Sequence, residues 1–250
     1  MRASSNIKRD KSLSMAIAIS LLGAAGKMGK RLLSLASQDP ELKVVAGTVR
    51  KLPEDHFGVP LFIDPEQAFV LCDVAIDFSA KEAMMLHLAA AIKTKKALVI
   101  GTTGLSPDEQ KVIKQAAQYI PILFSPNFSL GMALCIDAVR HLSQALNGMC
   151  DIQIVETHHV HKKDQPSGTA LSLADAMACQ KTIPIHSVRT GEVVGEHSVI
   201  FECGHERIEL KHTALSRDAF AQGALIGAKF LAKQPPGLYT LKDLYRDTSY

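Results

Sequence analysis

The chain has 250 residues, 47% of them hydrophobic and 21% charged, with a net charge of +3. That is the composition of a soluble globular protein with room for one sizeable core or two modest domains. A dispersed charge this small, with 5% aromatics and no Trp, argues against nucleic acid as a partner, and no apolar run is long enough for a membrane span.

Residues 1–14 are polar and basic, so they are expected to be a disordered extension ahead of an effective start at Met15. The short apolar run that follows ends in glycines rather than at a cleavage site, which argues against a signal peptide. Residues 15–22 read as a strand, followed by a glycine turn and a helix with Met28, Leu32, Leu35 and Ala36 on one face. Gly23, Gly26 and Gly29 are spaced as in the dinucleotide-binding fingerprint, where glycines allow a tight turn, backbone approach to a pyrophosphate and close helix–strand packing. A P-loop is the competing reading, but Ala24 stands where it needs glycine and Arg31 where it needs Ser or Thr.

The strand LKVVAGTV ends at Val49, about 20 residues beyond the glycines, where an acidic side chain would take the ribose hydroxyls. Val49 cannot do so; Arg50 and Lys51 follow, and a guanidinium suits a 2′-phosphate, which favours NADPH over NADH. A loop with Pro53, Gly58, Pro60 and Pro65 leads to a buried strand at 72–78, a helix at 80–94 and a strand at 97–101. Ser106, Pro107 and Glu109 form a capping box that opens the next helix, and a short strand at 121–124 precedes Ser125, Pro126 and Asn127. Strands alternating with helices predict a parallel, doubly wound sheet with ligands at the carboxyl ends of its strands. Asp77-Phe78-Ser79, Gly101-Thr102-Thr103-Gly104 and Asn127 lie at such ends; each reads equally as a cofactor contact and as a turn.

The pattern changes after a helix at 130–146. Residues 151–157 alternate as a half-buried strand and deliver the segment HHVHKKDQPSGTA, 158–170. A helix is expected from Thr169, with Leu171, Ala174 and Met177 on one face. Histidines and lysines therefore leave a strand end just where free N–H groups open a helix. Both attract anions, and imidazoles beside them can move protons. His158 and His161 could instead begin a zinc site, but Cys150 and Cys179 are the nearest cysteines and too far along the chain, so no metal is expected. Residues 197–203 and 206–213 read as a hairpin turning at Gly204-His205, and a helix at 218–233 is expected to return to the first domain. The half-buried second sheet suggests homo-oligomerisation through its free face. Five cysteines without a CxxC pair suit a reducing compartment better than a disulfide framework.

The segments GAAGKMG, IGTTG, SPNFSLG, ETHHVHKKDQPSGTA and VGEH, then SR with FAQGA, occur in this order across residues 15 to about 239. Together they resemble the dihydrodipicolinate reductase family, and the histidine–lysine–PSGTA block is long and specific. The resemblance implies a cytoplasmic, usually tetrameric enzyme of lysine and diaminopimelate synthesis that reduces 4-hydroxy-tetrahydrodipicolinate, a small dicarboxylate, with NADPH or NADH. It places Gly23, Ala24, Ala25, Gly26, Lys27 and Met28 at the pyrophosphate and Arg50 at the 2′-phosphate. Gly101, Thr102 and Thr103 would border the nicotinamide together with Ser125, Pro126, Asn127 and Phe128. His158 would be the acid/base residue and Lys162 the proton donor, with His159, Ser167, Gly168 and Thr169 at the substrate carboxylates and Lys163 a further candidate anchor.

The chain departs from the family at Val49, in a shorter segment between about Gln180 and Arg189, and in its leader. The expected fold is α/β: a Rossmann-like doubly wound parallel sheet, with a second α+β domain containing a mixed sheet. Residues 15–126 with 217–250 would form the dinucleotide-binding domain, and 127–216 the substrate-binding and oligomerisation domain. A catalytically silent NADPH-binding relative and another Rossmann oxidoreductase are the alternatives.

Overall fold

A computed structural model describes residues 16–53, 57–146, 148–177, 179 and 181–246. The expected leader extension, and a start at Met15, lie outside them. Seven strands form one wholly parallel sheet: β1 (Ile17–Leu22), β2 (Leu42–Thr48), β3 (Leu61–Phe62), β4 (Val74–Asp77), β5 (Ala97–Ile100), β6 (Pro121–Phe124) and β11 (Gly237–Tyr239). Their order across the sheet is β11-β6-β5-β4-β1-β2-β3. Every residue of β4 and β5 is buried, as expected of strands covered on both faces.

Side chains alternate between those faces. Leu21, Val74, Ile76 and Val99 pack on α1 (Lys27–Ala36) and α7 (Asp218–Leu231). Leu22, Ala75, Leu98 and Ile100 pack on α2 (Pro65–Phe69), α3 (Lys81–Thr94) and α4 (Pro107–Ala116). The capping box at α4 is formed as read, with Ser106 accepting from the Glu109 N–H and Glu109 from the Ser106 N–H.

The remaining strands, β7 (Asp151–His158), β8 (Ile185–Arg189), β9 (Glu196–Glu202) and β10 (Arg207–Thr213), form a mixed sheet ordered β10-β9-β7-β8. Only the β7–β8 pair is parallel. Helices α5 (Leu130–Leu146) and α6 (Gly168–Met177) cover one face, around Met132, Ile154, Leu173, Val199 and Phe201. Along that face the strands turn from apolar to polar: Ile154 gives way to Glu156 and His158 on β7, and Val199 to His197 on β9, all buried. The β9–β10 turn is the expected two-residue one, with Gly204 at φ +74° and the Cys203 N–H donating to the Glu206 carbonyl at 2.9 Å.

Several elements differ from the sequence reading. The proline-bearing loop contains β3 and α2, because Pro65 is the first residue of a helix that the Asp64 side chain caps. Strands β8 and β11 and helix α8 (Leu241–Arg246) also went unread. The cysteines are corrected too: Cys150 and Cys203 form a disulfide. Antiparallel register sets Asp151 opposite Glu202, so the residues just beyond them, Cys150 and Cys203, meet although 53 positions separate them.

Helix α7 seals the parallel sheet by a very close approach. A Cβ on Gly223 would stand 1.8 Å from the Phe128 carbonyl oxygen. Gly223→Ala should therefore force helix and loop apart and cost about 2 kcal/mol or more, read as a lower urea midpoint. An unchanged midpoint would mean that the loop yields freely.

Candidate active site

The strand order reverses around β1, which lies between β2 and β4, and a doubly wound sheet opens a crevice at that point. The turns after β1 and β4 meet there: Gly23, at φ +80°, would place a Cβ only 3.0 Å from the Ser79 Cα. Gly29 is equally constrained, since a Cβ would lie 2.4 Å from the Ala24 carbonyl oxygen. No side chain caps the N-terminus of α1 and its first turn has no acidic residue, so its amides remain available to an anion.

A cleft of about 460 Å³ joins this crevice to the polar end of the second sheet. Lys27, Met28, Phe78, Ser79, Gly101, Thr102, Thr103, Pro126, Asn127 and Phe128 line it from the parallel sheet. His158, His159, Lys162 and Thr169 line it from the other side. Asn127 Nδ2 donates to Thr169 Oγ1 at 3.0 Å and ties the two sides together.

The other expected residues stand outside this lining. Gly23 and Ala24 are held to Thr48 by backbone N–H bonds, and Ala25 and Gly26 are exposed at the turn above α1. Arg50 is exposed just past β2. Ser125 supports its loop by donating its hydroxyl to the Asn127 carbonyl at 2.6 Å. The Ser167 hydroxyl is buried, 3.1 Å from His197 Nε2, and accepts from the Ala170 N–H, so it caps α6. Gly168 is exposed at the first position of α6, and Lys163 is exposed and off the cleft.

Sequence reasoning missed Glu156, Arg189, His197 and His212. Glu156 is fully buried and accepts from His158 Nδ1. Arg189 grips it with both terminal nitrogens, at 3.0 and 2.8 Å, and the Ser167 N–H lies 3.3 Å away. Burial raises the proton affinity of the Glu156 carboxyl, but Arg189, the Ser187 hydroxyl and His158 outweigh it and bring its pKa down to about 2. A carboxylate only accepts, so His158 carries its proton on Nδ1. Burial lowers the His158 pKa, Lys162 and Arg189 add to this, and Glu156 opposes it.

His197 stands edge-on to His158 at 5.1 Å, and burial above all brings its pKa down to about 4. His212 lies 3.1 Å from the Ser129 hydroxyl, and burial lowers it as well. Lys162 Nζ rests 2.8 Å from Asp164 Oδ1. A second buried set underlies the cleft: Asp77 meets His87 Nδ1 at 2.8 Å, the Ser79 N–H at 2.8 Å and the Thr102 hydroxyl at 3.3 Å. It holds the Ser79 and Thr102 turns in place.

Among the described residues, Glu156, His158 and His197 bring possible metal-ligand atoms within 4.8 Å of one another. Both Glu156 oxygens face the Arg189 guanidinium, however, so the carboxylate charge is already matched by a cation. His161, the other histidine weighed for zinc, is exposed and faces Glu192.

Residues 17–128 match the family model described as dihydrodipicolinate reductase, N-terminus, and residues 131–245 match the one described as its C-terminus. The chain belongs to the dihydrodipicolinate reductase family. It is 45% identical over 226 residues to the 4-hydroxy-tetrahydrodipicolinate reductase of Xylella fastidiosa strain 9a5c, covering 89% of this chain and 95% of that one. The reductase of the same name from Caldanaerobacter subterraneus subsp. tengcongensis is 43% identical over 253 residues, covering 93% and 99%. In fold, the chain is similar to the dipicolinate-bound dihydrodipicolinate reductase from Paenisporosarcina sp. TG-14, with a TM-score of 0.76 and 23% identity over 90% of this chain and 98% of that one. It is also similar to a probable dehydrogenase from Thermotoga maritima, with a TM-score of 0.65 and 10% identity over 92% and 93%.

Glu156 makes the site sensitive to acid. Its folded pKa of about 2 lies below the ordinary 4.5, so the stability it contributes is complete above pH 4.5 and is lost as pH falls toward 2. At neutral pH, Glu156→Gln should cost on the order of 3 kcal/mol by leaving Arg189 buried without its partner. Urea midpoints of the two proteins should converge toward the acid end; a constant gap would assign the loss to something other than the carboxylate.

Proposed function

We propose that this chain reduces 4-hydroxy-tetrahydrodipicolinate to tetrahydrodipicolinate, with NADPH as the preferred donor. The family makes it an oxidoreductase of diaminopimelate and lysine synthesis that uses a nicotinamide cofactor and a small-molecule substrate. The observation that carries the reading is one continuous cleft with an open dinucleotide crevice at one end and His158, His159, Lys162 and Thr169 at the other.

A bound nicotinamide would supply hydride at this cleft. The glycine turn and uncapped start of α1, from Gly23 to Met28, would receive the pyrophosphate, and Gly101, Thr102, Thr103 and the Ser125–Phe128 turn would border the nicotinamide. His159 and the amides of Gly168 and Thr169 at the start of α6 anchor the substrate carboxylates. His159 Nδ1 is buried and has no hydrogen-bond partner among the described residues, which suits a ligand atom there. Lys162 returns a proton to the reduced ring, and neutral His158 presents Nε2 for the exchange that accompanies loss of the 4-hydroxyl as water. Placing both reactants in register and stabilising developing negative charge are the main contributions.

Arg50 supports NADPH, because it is exposed just past β2 where a 2′-phosphate would lie. Val49 supports it by default: its side chain is buried, and its N–H bonds the Phe62 carbonyl at 3.0 Å. The free face of the second sheet, with Val155, Ile200 and Val188 among charged pairs, is the surface proposed for a homotetramer. No helix among the described residues is long and apolar enough to cross a membrane. A cytoplasmic location rests on the pathway and not on cysteine usage.

Supplying substrate with the preceding synthase, pyruvate and aspartate semialdehyde tests the reading. Absorbance should report NADPH oxidation that depends on the synthase product; binding of NADPH without oxidation would favour a silent relative. Lys162→Ala should lower turnover about a hundredfold or more while NADPH still binds, and unchanged turnover would remove Lys162 from the mechanism. Arg50→Ala should raise the KM for NADPH at least about tenfold and leave that for NADH unaltered. An equal change with both cofactors would place the 2′-phosphate elsewhere.

A further inference from the structure

We propose that Glu156 and Arg189 are a positioning pair for His158. Glu156 fixes the imidazole with its proton on Nδ1, and Arg189 takes up the carboxylate charge so that the ring stays neutral and offers its Nε2 lone pair to the cleft. The inference rests on the reading of His158 as a proton carrier.

Strand geometry assembles the pair. Glu156 and His158 are two residues apart on β7 and share its buried face, and Arg189 on β8 is the register partner of His158. An ion pair that only held strands together would need no third member. Here one oxygen of the buried carboxylate, Oε2, meets both His158 Nδ1 and the Arg189 guanidinium. Without Arg189, an unbalanced carboxylate against the ring would favour imidazolium; without Glu156, nothing would select between the two neutral tautomers.

Arg189 also reaches the loop that carries the other proton-handling residue. It donates to the Asp164 carbonyl at 2.6 Å, and the Asp164 carboxylate is 2.8 Å from Lys162 Nζ. One side chain on β8 thus sets the place of both His158 and Lys162. The groups facing the His158 ring are Glu156 from its own strand, Arg189 from β8, His197 from β9 and Lys162 from the loop after β7. The start of α6 contributes only the uncharged Ser167. Gly195 leaves room for the ring, since a Cβ there would lie 3.0 Å from His158 Nε2.

The test uses the full chain with 15N-labelled histidine, with the His158 signals assigned by their loss in His158→Gln. In the native protein, His158 should appear as the Nδ1–H tautomer at neutral pH. In Arg189→Met its titration should move up by about one pH unit or more, and the acid limb of kcat should move with it. The KM for NADPH should stay unchanged, and Arg189→Lys should restore part of the native profile. In Glu156→Gln the Nδ1–H preference should weaken, with kcat falling at least about tenfold at neutral pH. Should either single variant fail to fold, Glu156→Gln with Arg189→Met removes both charges together; its His158 should then lose the Nδ1–H preference.

An unmoved titration in Arg189→Met, or an Nδ1–H tautomer that survives loss of Glu156 in the single or the double variant, overturns the proposal. If the signals move as expected while the acid limb of kcat stays put, the pair positions His158 as inferred. His158 is then not the proton carrier, and that part of the functional reading fails on its own account.

Discussion

A parallel sheet that winds both ways from one strand must leave a gap between two of its loops, and the rest of this molecule is arranged around that gap. The chain builds β1, β2 and β3 to one side and returns to lay β4, β5, β6 and β11 on the other. The connections after β1 and β4 therefore run to opposite sides of the sheet from turns that nearly touch. The floor of the crevice is set by sterics, since only a glycine at position 23 leaves room for Ser79. The second sheet leaves the first at the Asn127–Phe128 turn and returns to it near Arg217, and all three residues line the cleft. The connections between the two layers therefore form part of the site itself.

The polar end of the second sheet sets a different demand. An ionised carboxylate without water is tolerated only when every oxygen has partners, and even then an apolar replacement can be as stable. Glu156 meets the condition through Arg189, His158 and the Ser167 amide, each from a different stretch of chain. The core of this sheet is apolar at its far end and charged beside the cleft. Hydrophobic burial of Ile154, Val199 and Phe201 holds the strands in register, and that register places the ionisable groups. Stability and chemistry thus occupy opposite ends of the same strands.

Much of this was legible in the sequence because it follows from local chemistry. The glycine turn, the Ser106 capping box, the helix at Leu130–Leu146 and the Gly204-His205 hairpin each depend on residues within a few positions of one another. The histidine–lysine segment could be placed at one end of a cleft because strand end and helix start are adjacent in the chain. What escaped reading depends on register between distant strands, which a single sequence specifies only weakly. Arg189, His197 and His212 reach the site in this way, as do the paired cysteines. Glu156 was within reach, since a period of two puts it on the same strand face as His158. A two-residue strand such as β3 carries too little pattern to be seen at all.

The bond between Cys150 and Cys203 has a topological meaning that its place at the rim of the sheet conceals. It closes a covalent ring around β7, α6, β8 and β9, and Glu156, His158, Lys162, Arg189 and His197 all lie inside it. A loop spanning 53 residues, once closed, removes about 4 kcal/mol of chain entropy from the unfolded state. When the parallel sheet melts, these ionisable groups stay on one tethered loop, and finding one another again is a search within a ring rather than along an open chain.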